Sequence, residues 1–247
     1  MKQLGSLKAG TIFTFAQKQF VVLEGMADGV FCLLAQSEKS VSFHNGDDSP
    51  LNDYRKASLR EYIEGTWLKE LRGGMSTSAV EKAMLPFNVD LRPTDQSEGY
   101  GVLEGVLAAP LTLWQYGKYK DIIPFNEDDG WWLVTPWACP WLRSPNTRNT
   151  LSAWLVYSNG GYNVSSCSNS YGVRPALKLA SYLLVSVEGE EDEEATSDGC
   201  DNPTVDLSGV DTMTLIREVE RRISVLFGGE GASLADELRE KCGEQGT

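Results

Sequence analysis

From Glu188 to Asp201 the chain carries eight carboxylates and no basic group. A block like that repels itself and buries nothing, so it sets a limit on where a core can lie. Before it, residues 1–186 hold 17 basic and 18 acidic side chains; after it, residues 187–247 hold 5 and 17. The nearly neutral front part, rich in apolar residues and holding all seven Trp, is the part able to fold around a core. The expected organisation is therefore a domain at 1–186, an acidic flexible linker at 187–208 and a helical appendage at 209–247. In the appendage Ile216, Val219, Ile223 and Leu226 fall at 3-4-3 spacing, a short heptad-like seam ended by Gly228-Gly229. Ser233 opens a last small helix with Leu234 and Leu238. Helices this short are unstable alone, so residues 209–241 are expected to self-associate or to dock on another protein.

Charge and composition also exclude function classes. No basic stripe offers the phosphate-neutralising footprint of a nucleic-acid binder, so nucleic acid is not expected as a partner. No apolar run approaches the ~18 residues of a membrane span. Met1–Gly5 lacks the layout of a secretory signal, which places synthesis in the cytoplasm. The five cysteines form no CxxC pair and read as reduced thiols. The single histidine, His44, lies in a polar loop with no nucleophile elbow or HExxH pattern elsewhere. Asp47, Asp48 and Asp53 lack the twelve-residue calcium loop. No catalytic residue, metal or cofactor is expected, and the chain reads as a non-enzyme.

Within 1–186 the pattern is α+β. Thr11–Phe15, Gln19–Leu23 and Val30–Ala35 are short β-rich runs separated by turns at Ala16–Lys18 and Ala27–Gly29. Ser58 with Glu61 forms a capping-box pattern ahead of Leu59, Tyr62, Ile63, Trp67 and Leu71, at helical spacing up to Gly73-Gly74. A second box, Ser78 with Glu81, opens a helix that ends near Pro86, and Thr112 caps a third helix to about Asp121. Trp131, Trp132, Trp137 and Trp141 then stand within eleven residues. Ala153–Tyr157 and Tyr162–Val164 form a hairpin around Asn159-Gly160-Gly161, and Tyr171–Leu179 forms a closing strand.

Between Asn146 and Gly172, 17 of 27 residues are Asn, Ser, Thr, Tyr or Cys, and Arg148 is the one charged residue. Such composition usually marks a plain polar loop. Here it lies between patterned strands and has the Tyr/Ser/Asn make-up of antibody paratopes, in which Tyr gives stiff contact area and Ser or Asn gives adaptable hydrogen bonds. The candidate ligand-binding set is Trp141, Asn146, Thr147, Asn149, Ser152, Trp154, Tyr157, Tyr162, Asn163, Ser165, Ser166, Ser168 and Asn169. Trp131, Trp132 and Trp137 are read as core, and Trp141 with Trp154 as the exposed aromatic pair.

The runs Trp131-Trp132-Leu133, Trp141-Leu142-Arg143-Ser144-Pro145 and Gly172-Val173-Arg174-Pro175-Ala176-Leu177 resemble a bacterial and phage domain family with a C-type-lectin-like fold, whose members often end in GVRPAL. The resemblance covers residues 1 to about 182. It implies a C-type-lectin-like domain of antiparallel strands with two or three helices, binding a bacterial surface protein or glycan. Related proteins include the variable proteins of diversity-generating retroelements, among them bacteriophage receptor-binding proteins, in which adenine-directed mutagenesis rewrites chosen codons. An AAC codon so rewritten can yield Asn, Ser, Thr, Tyr and Cys, among others, and Asn163–Ser170 has that make-up. The implied setting is a virion or cell surface engaged in host attachment, with residues 209–241 docking to a virion protein. Two rivals follow. Formylglycine-generating oxidases share the fold class and need a reactive cysteine pair, for which Cys139 and Cys167 are the candidates. Alternatively, the chain is a phage assembly protein acting through its C-terminal helices.

Overall fold

Ala16 and Gln17 reverse the chain with positive φ angles of 49° and 66°. They join strand β2 (Ile12–Phe15) to β3 (Lys18–Met26), with Phe15 paired to Lys18, so the hairpin loop has two residues. Two successive positive φ angles give the turn the twist that adjacent antiparallel strands need. The chain continues into β4 (Gly29–Leu34), and the three strands form the expected meander.

The computed structural model describes residues 1–47, 51–73, 82–94, 99–125, 130–137 and 151–187. The Ser78/Glu81 box, Trp141, Asn146, Thr147, Asn149, Cys139, the helical appendage and all of the acidic linker but Val187 lie outside the described residues. The other strands are β1 (Lys2–Gln3), β5 (Glu38–Ser42), β6 (Met84–Leu85), β7 (Phe87–Asp90), β8 (Val102–Val106), β9 (Ala108–Ala109), β10 (Gly130–Pro136), β11 (Ser152–Tyr157), β12 (Tyr162–Ser166), β13 (Ser170–Val173), β14 (Ala176–Leu179) and β15 (Leu184–Val187). One sheet has the order β1-β15-β2-β3-β4-β14-β6, with β9 also on β14. A second sheet has the order β12-β11-β10-β13-β5, and β7 pairs β8 separately. Every described pairing is antiparallel except that of β10 with β13. The protein is mixed α+β with mainly antiparallel sheets.

Period-two alternation sends neighbouring residues to opposite faces of a strand. Phe20 and Val22 of β3 enter one apolar cluster, and Val21 and Leu23 enter another. In β10, Trp132 and Val134 join the first cluster, while Trp131 and Leu133 join the second. Both faces of these strands are covered, which is why they read as unbroken apolar runs. The Trp pair is structural, with both rings essentially buried.

A continuous helix runs through Ser58–Glu61, a π-helical stretch Tyr62–Trp67 and Leu68–Gly73. Leu59, Ile63, Trp67 and Leu71 lie four apart and are fully buried, and Leu68 beside Trp67 is buried as well. At 3.6 residues per turn a four-residue repeat drifts around the helix. The wider π turn, with its i→i+5 bonds, counters that drift and keeps all four on one face. The expected capping box is absent. Ala57 is the N-cap, and the first helical N–H, from Ser58, is donated to His44 Nδ1 at 3.3 Å. The Ser58 hydroxyl accepts instead from the Asn45 backbone at 3.1 Å. The lone histidine thus takes the capping role expected of Ser58. At Leu113–Tyr119 the sequence pattern does hold: Thr112 and Gln115 form a complete capping box.

The expected single closing strand at Tyr171–Leu179 is broken. Arg174-Pro175 separates β13, in the smaller sheet, from β14, in the larger. Pro175 has no N–H for a ladder, and its carbonyl accepts from Leu34 N at 2.9 Å. Gly172 allows the crossing, because a Cβ there would lie 2.6 Å from Ser37 Oγ and 3.0 Å from the Gly130 carbonyl.

Candidate functional site

The polar segment forms a hairpin displayed on the smaller sheet. β11 is an inner strand, with Ala153 and Leu155 buried in one cluster and Val156 in the other. β12 is the outer strand among the described residues. Tyr162, Asn163, Ser166, Ser168 and Asn169 are exposed, while Cys167 between them is buried. The hydrogen bonds of these exposed Asn and Ser side chains stay within the hairpin and the turn that follows it. Ser166 and Ser168 hydroxyls lie 2.9 Å apart, Asn169 Nδ2 donates to Ser165 Oγ at 2.9 Å, and Asn163 Oδ1 accepts from Val164 N at 2.8 Å. Ser165 is half-buried, and its hydroxyl donates to Tyr171 at 3.3 Å.

Like Ser165, three further expected site residues are half-buried. Trp154 is half-buried against the second cluster, with its indole Nε1 buried and unpartnered, because β11 is covered on both faces. Tyr157 is half-buried against the first cluster, and Ser152 is half-buried at its paired end of the hairpin. Trp154 is therefore not an exposed anchor. Its ring instead supports exposed Tyr162, with centroids 5.8 Å apart.

The exposed aromatic beside Tyr162 comes from the Thr112-capped helix. Trp114 is 65% exposed and Tyr162 56%. Together with Leu113, Tyr116, Gly117 and Lys118 they line a cavity of about 590 Å³. A second cavity of about 290 Å³ lies under the hairpin turn, walled by Tyr116, Phe125, Trp131 and Tyr157. Lys120 and Tyr116 line both. Tyr116 also ties helix to hairpin, its hydroxyl donating to the Gly160 carbonyl at 2.6 Å.

Arg174 lies beneath the smaller cavity and is 1% exposed. Its Nε donates to the Leu34 carbonyl at 2.8 Å, and its Nη2 donates to the carbonyls of Ala35 and Pro124. Its guanidinium lies over the Trp131 ring, 5.2 Å from the centroid. Burial pulls its pKa down to about 10, so it stays charged at neutral pH. An arginine in an apolar run needs a buried acceptor or carboxylate, and here the acceptors are main-chain carbonyls.

A buried Asn52 fastens the hairpin from below. Its Nδ2 donates to the carbonyls of Ser152, at 2.9 Å, and Trp137, at 3.3 Å, while its Oδ1 accepts from Tyr100 at 2.6 Å. No local pattern around Asn52 signals this, since all three partners are remote in sequence. Trp114, Lys120, Phe125 and Asn52 were all missed as site residues. Only the capped helix that carries Trp114 had a readable signal.

Residues 117–181 match the family model described as Domain of unknown function (DUF6273). That span runs from the Thr112-capped helix through the hairpin to β14. No curated protein and no solved structure matches the chain. Among the described residues no helix is long and apolar enough to cross a membrane. No group of three or more His, Cys, Asp or Glu is placed to hold a metal ion among them either.

Proposed function

We propose that the chain is a non-enzymatic recognition protein of phage or prophage origin, of the retroelement-diversified type. Its C-type-lectin-like domain binds a bacterial surface protein or glycan through residues 141–171, at a virion or cell surface. The observation that carries this reading is the separation of roles in the β11–β12 hairpin. Tyr162, Asn163, Ser166, Ser168 and Asn169 face solvent and are small or amphipathic, while Ala153, Leu155, Val156 and Cys167 hold the core. A surface that must change identity without unfolding needs that division. The matched span 117–181 includes the Trp131-Trp132 pair and the GVRPAL run on which the lectin-like resemblance rests. Exposed Trp114 extends the face with an aromatic anchor suited to recognition.

The oxidase reading has less support. Cys167 is buried and its thiol is pushed up to about 12, the opposite of an activated thiolate. A reactive partner would have to be Cys139, outside the described residues.

The experiment pairs melts with binding. Asn163, Ser166, Ser168 and Asn169 are each replaced by Ala in the full chain, and binding to bacterial surface material is measured beside thermal unfolding. Stability should change by no more than about 0.5 kcal/mol while binding changes. Trp131→Ala or Trp132→Ala should instead cost about 3–5 kcal/mol. If the polar set melts as badly as the Trp set, the recognition face is core and the proposal fails.

A further inference from the structure

The smaller cavity combines features that the exposed side chains of β12 do not use. Arg174 has five N–H groups, and the contacts to Leu34, Ala35 and Pro124 occupy Nε and Nη2. Nη1 has no hydrogen-bond partner among the described residues, and it is not among the buried polar atoms sealed from solvent. No carboxylate pairs with Arg174 among the described residues. A buried guanidinium met by carbonyl dipoles and the Trp131 ring, with no carboxylate among the described residues, stands to gain from an anion that can reach it.

The rest of the lining narrows the class of anion. Lys120 and Asp121 are both exposed and line the cavity with Arg174, so the charges in the lining sum to one positive. That balance suits a monoanion and disfavours a dianion. Asp121 is acceptor-only when ionised, so it selects a ligand that brings hydroxyl donors of its own. Phe125, 76% exposed, and half-buried Tyr157 offer ring surface to a C–H face. At about 290 Å³ the space admits one small ring rather than a polymer.

We infer that this cavity is a subsite for a hydroxylated monocarboxylate of the hexuronic acid kind. The carboxylate lies on Arg174 Nη1 and Lys120 Nζ, ring hydroxyls donate to Asp121, and the C–H face rests on Phe125. The subsite lies under the hairpin turn, apart from the outward side chains of β12, and does not depend on the recognition reading. No covalent step is involved.

Calorimetric titration of the full chain at low ionic strength with glucuronate, glucose, acetate and N-acetylaspartate tests the assignment. Glucuronate should bind, with glucose and acetate each weaker by about tenfold or more, since each lacks one half of the recognition. Lys120→Gln and Asp121→Asn should each weaken glucuronate by about tenfold with unchanged melting, because both side chains are exposed. Asn163→Ala should leave glucuronate binding unchanged, which separates failure here from failure of the recognition face. Absence of glucuronate binding, equal binding of glucose, or indifference to both Lys120→Gln and Asp121→Asn would overturn the subsite. N-acetylaspartate binding as tightly as glucuronate would overturn the sugar-acid class.

Discussion

At the scale of single residues, side-chain identity fixed some roles and left others to remote partners. Gly172 and Arg174 were legible: a glycine in a strand marks a close approach, and an arginine in an apolar run needs acceptors. His44 and Asn52 were not, because each serves backbone groups that only the fold brings near. Trp154 was misread because alternation shows that a strand has two faces without showing whether both are covered. The cysteines yield a prediction here. Cys32 and Cys167 are buried, and burial pushes both thiols up, Cys167 to about 12 and Cys32 further. Both should stay unlabelled when the native protein is treated with a thiol-alkylating reagent near neutral pH, and both should react after denaturation. Peptide mapping reads the result, and native labelling of Cys167 would restore the case for a reactive thiol.

At the scale of elements, short apolar runs and caps were well marked in sequence. The β2–β3–β4 meander, the Thr112 cap and the hairpin near Gly160 all form as local chemistry dictates. Two features escaped. The four-residue apolar spacing from Leu59 to Leu71 carried the signal for a π turn and was read as ordinary helix. The break at Arg174-Pro175 was hidden inside a strand-like run, although a proline there argued against one continuous strand. The β2–β3 turn places Ala16 and Gln17, neither of them glycine, at positive φ. Replacing the pair with Asn-Gly should stabilise the protein by about 1 kcal/mol, seen as a higher denaturation midpoint with unchanged slope. The Thr112-capped helix is tied to β3 by Glu24, which accepts from Lys118 Nζ at 2.7 Å and the Tyr119 hydroxyl at 2.5 Å. The Lys118 bond, then that of Tyr119, holds the Glu24 carboxyl below its ordinary value of 4.5. A depressed carboxylate stabilises the fold above its unfolded-state value and loses that contribution as pH falls through the folded value. The effect is small because Glu24 is 39% exposed. Melting temperature should therefore fall on acidification below pH 4.5, and Glu24→Gln should flatten that limb. An unchanged acid limb would remove Glu24 from the account.

At the scale of the whole molecule, the pairing of distant strands was the least legible part, since a sequence marks strands without naming their neighbours. β2, β3 and β4 pair in chain order, yet their flanks are taken by β15 beside β2 and β14 beside β4. Both flanking strands come from residues 176–187. During synthesis the meander is made first and waits, with two open borders, for more than a hundred residues until its neighbours emerge. Unpaired borders are templates for other chains, and contacts so far apart in sequence close slowly. A chain ending at Arg174 keeps the meander and loses both neighbours. It should aggregate at concentrations where a chain ending at Val187 stays dispersed, which light scattering of the two would show. The last dozen residues of the domain thus act as its own chaperone: the nascent meander is sticky until they arrive, and any delay in their arrival is time during which neighbouring copies can take their place.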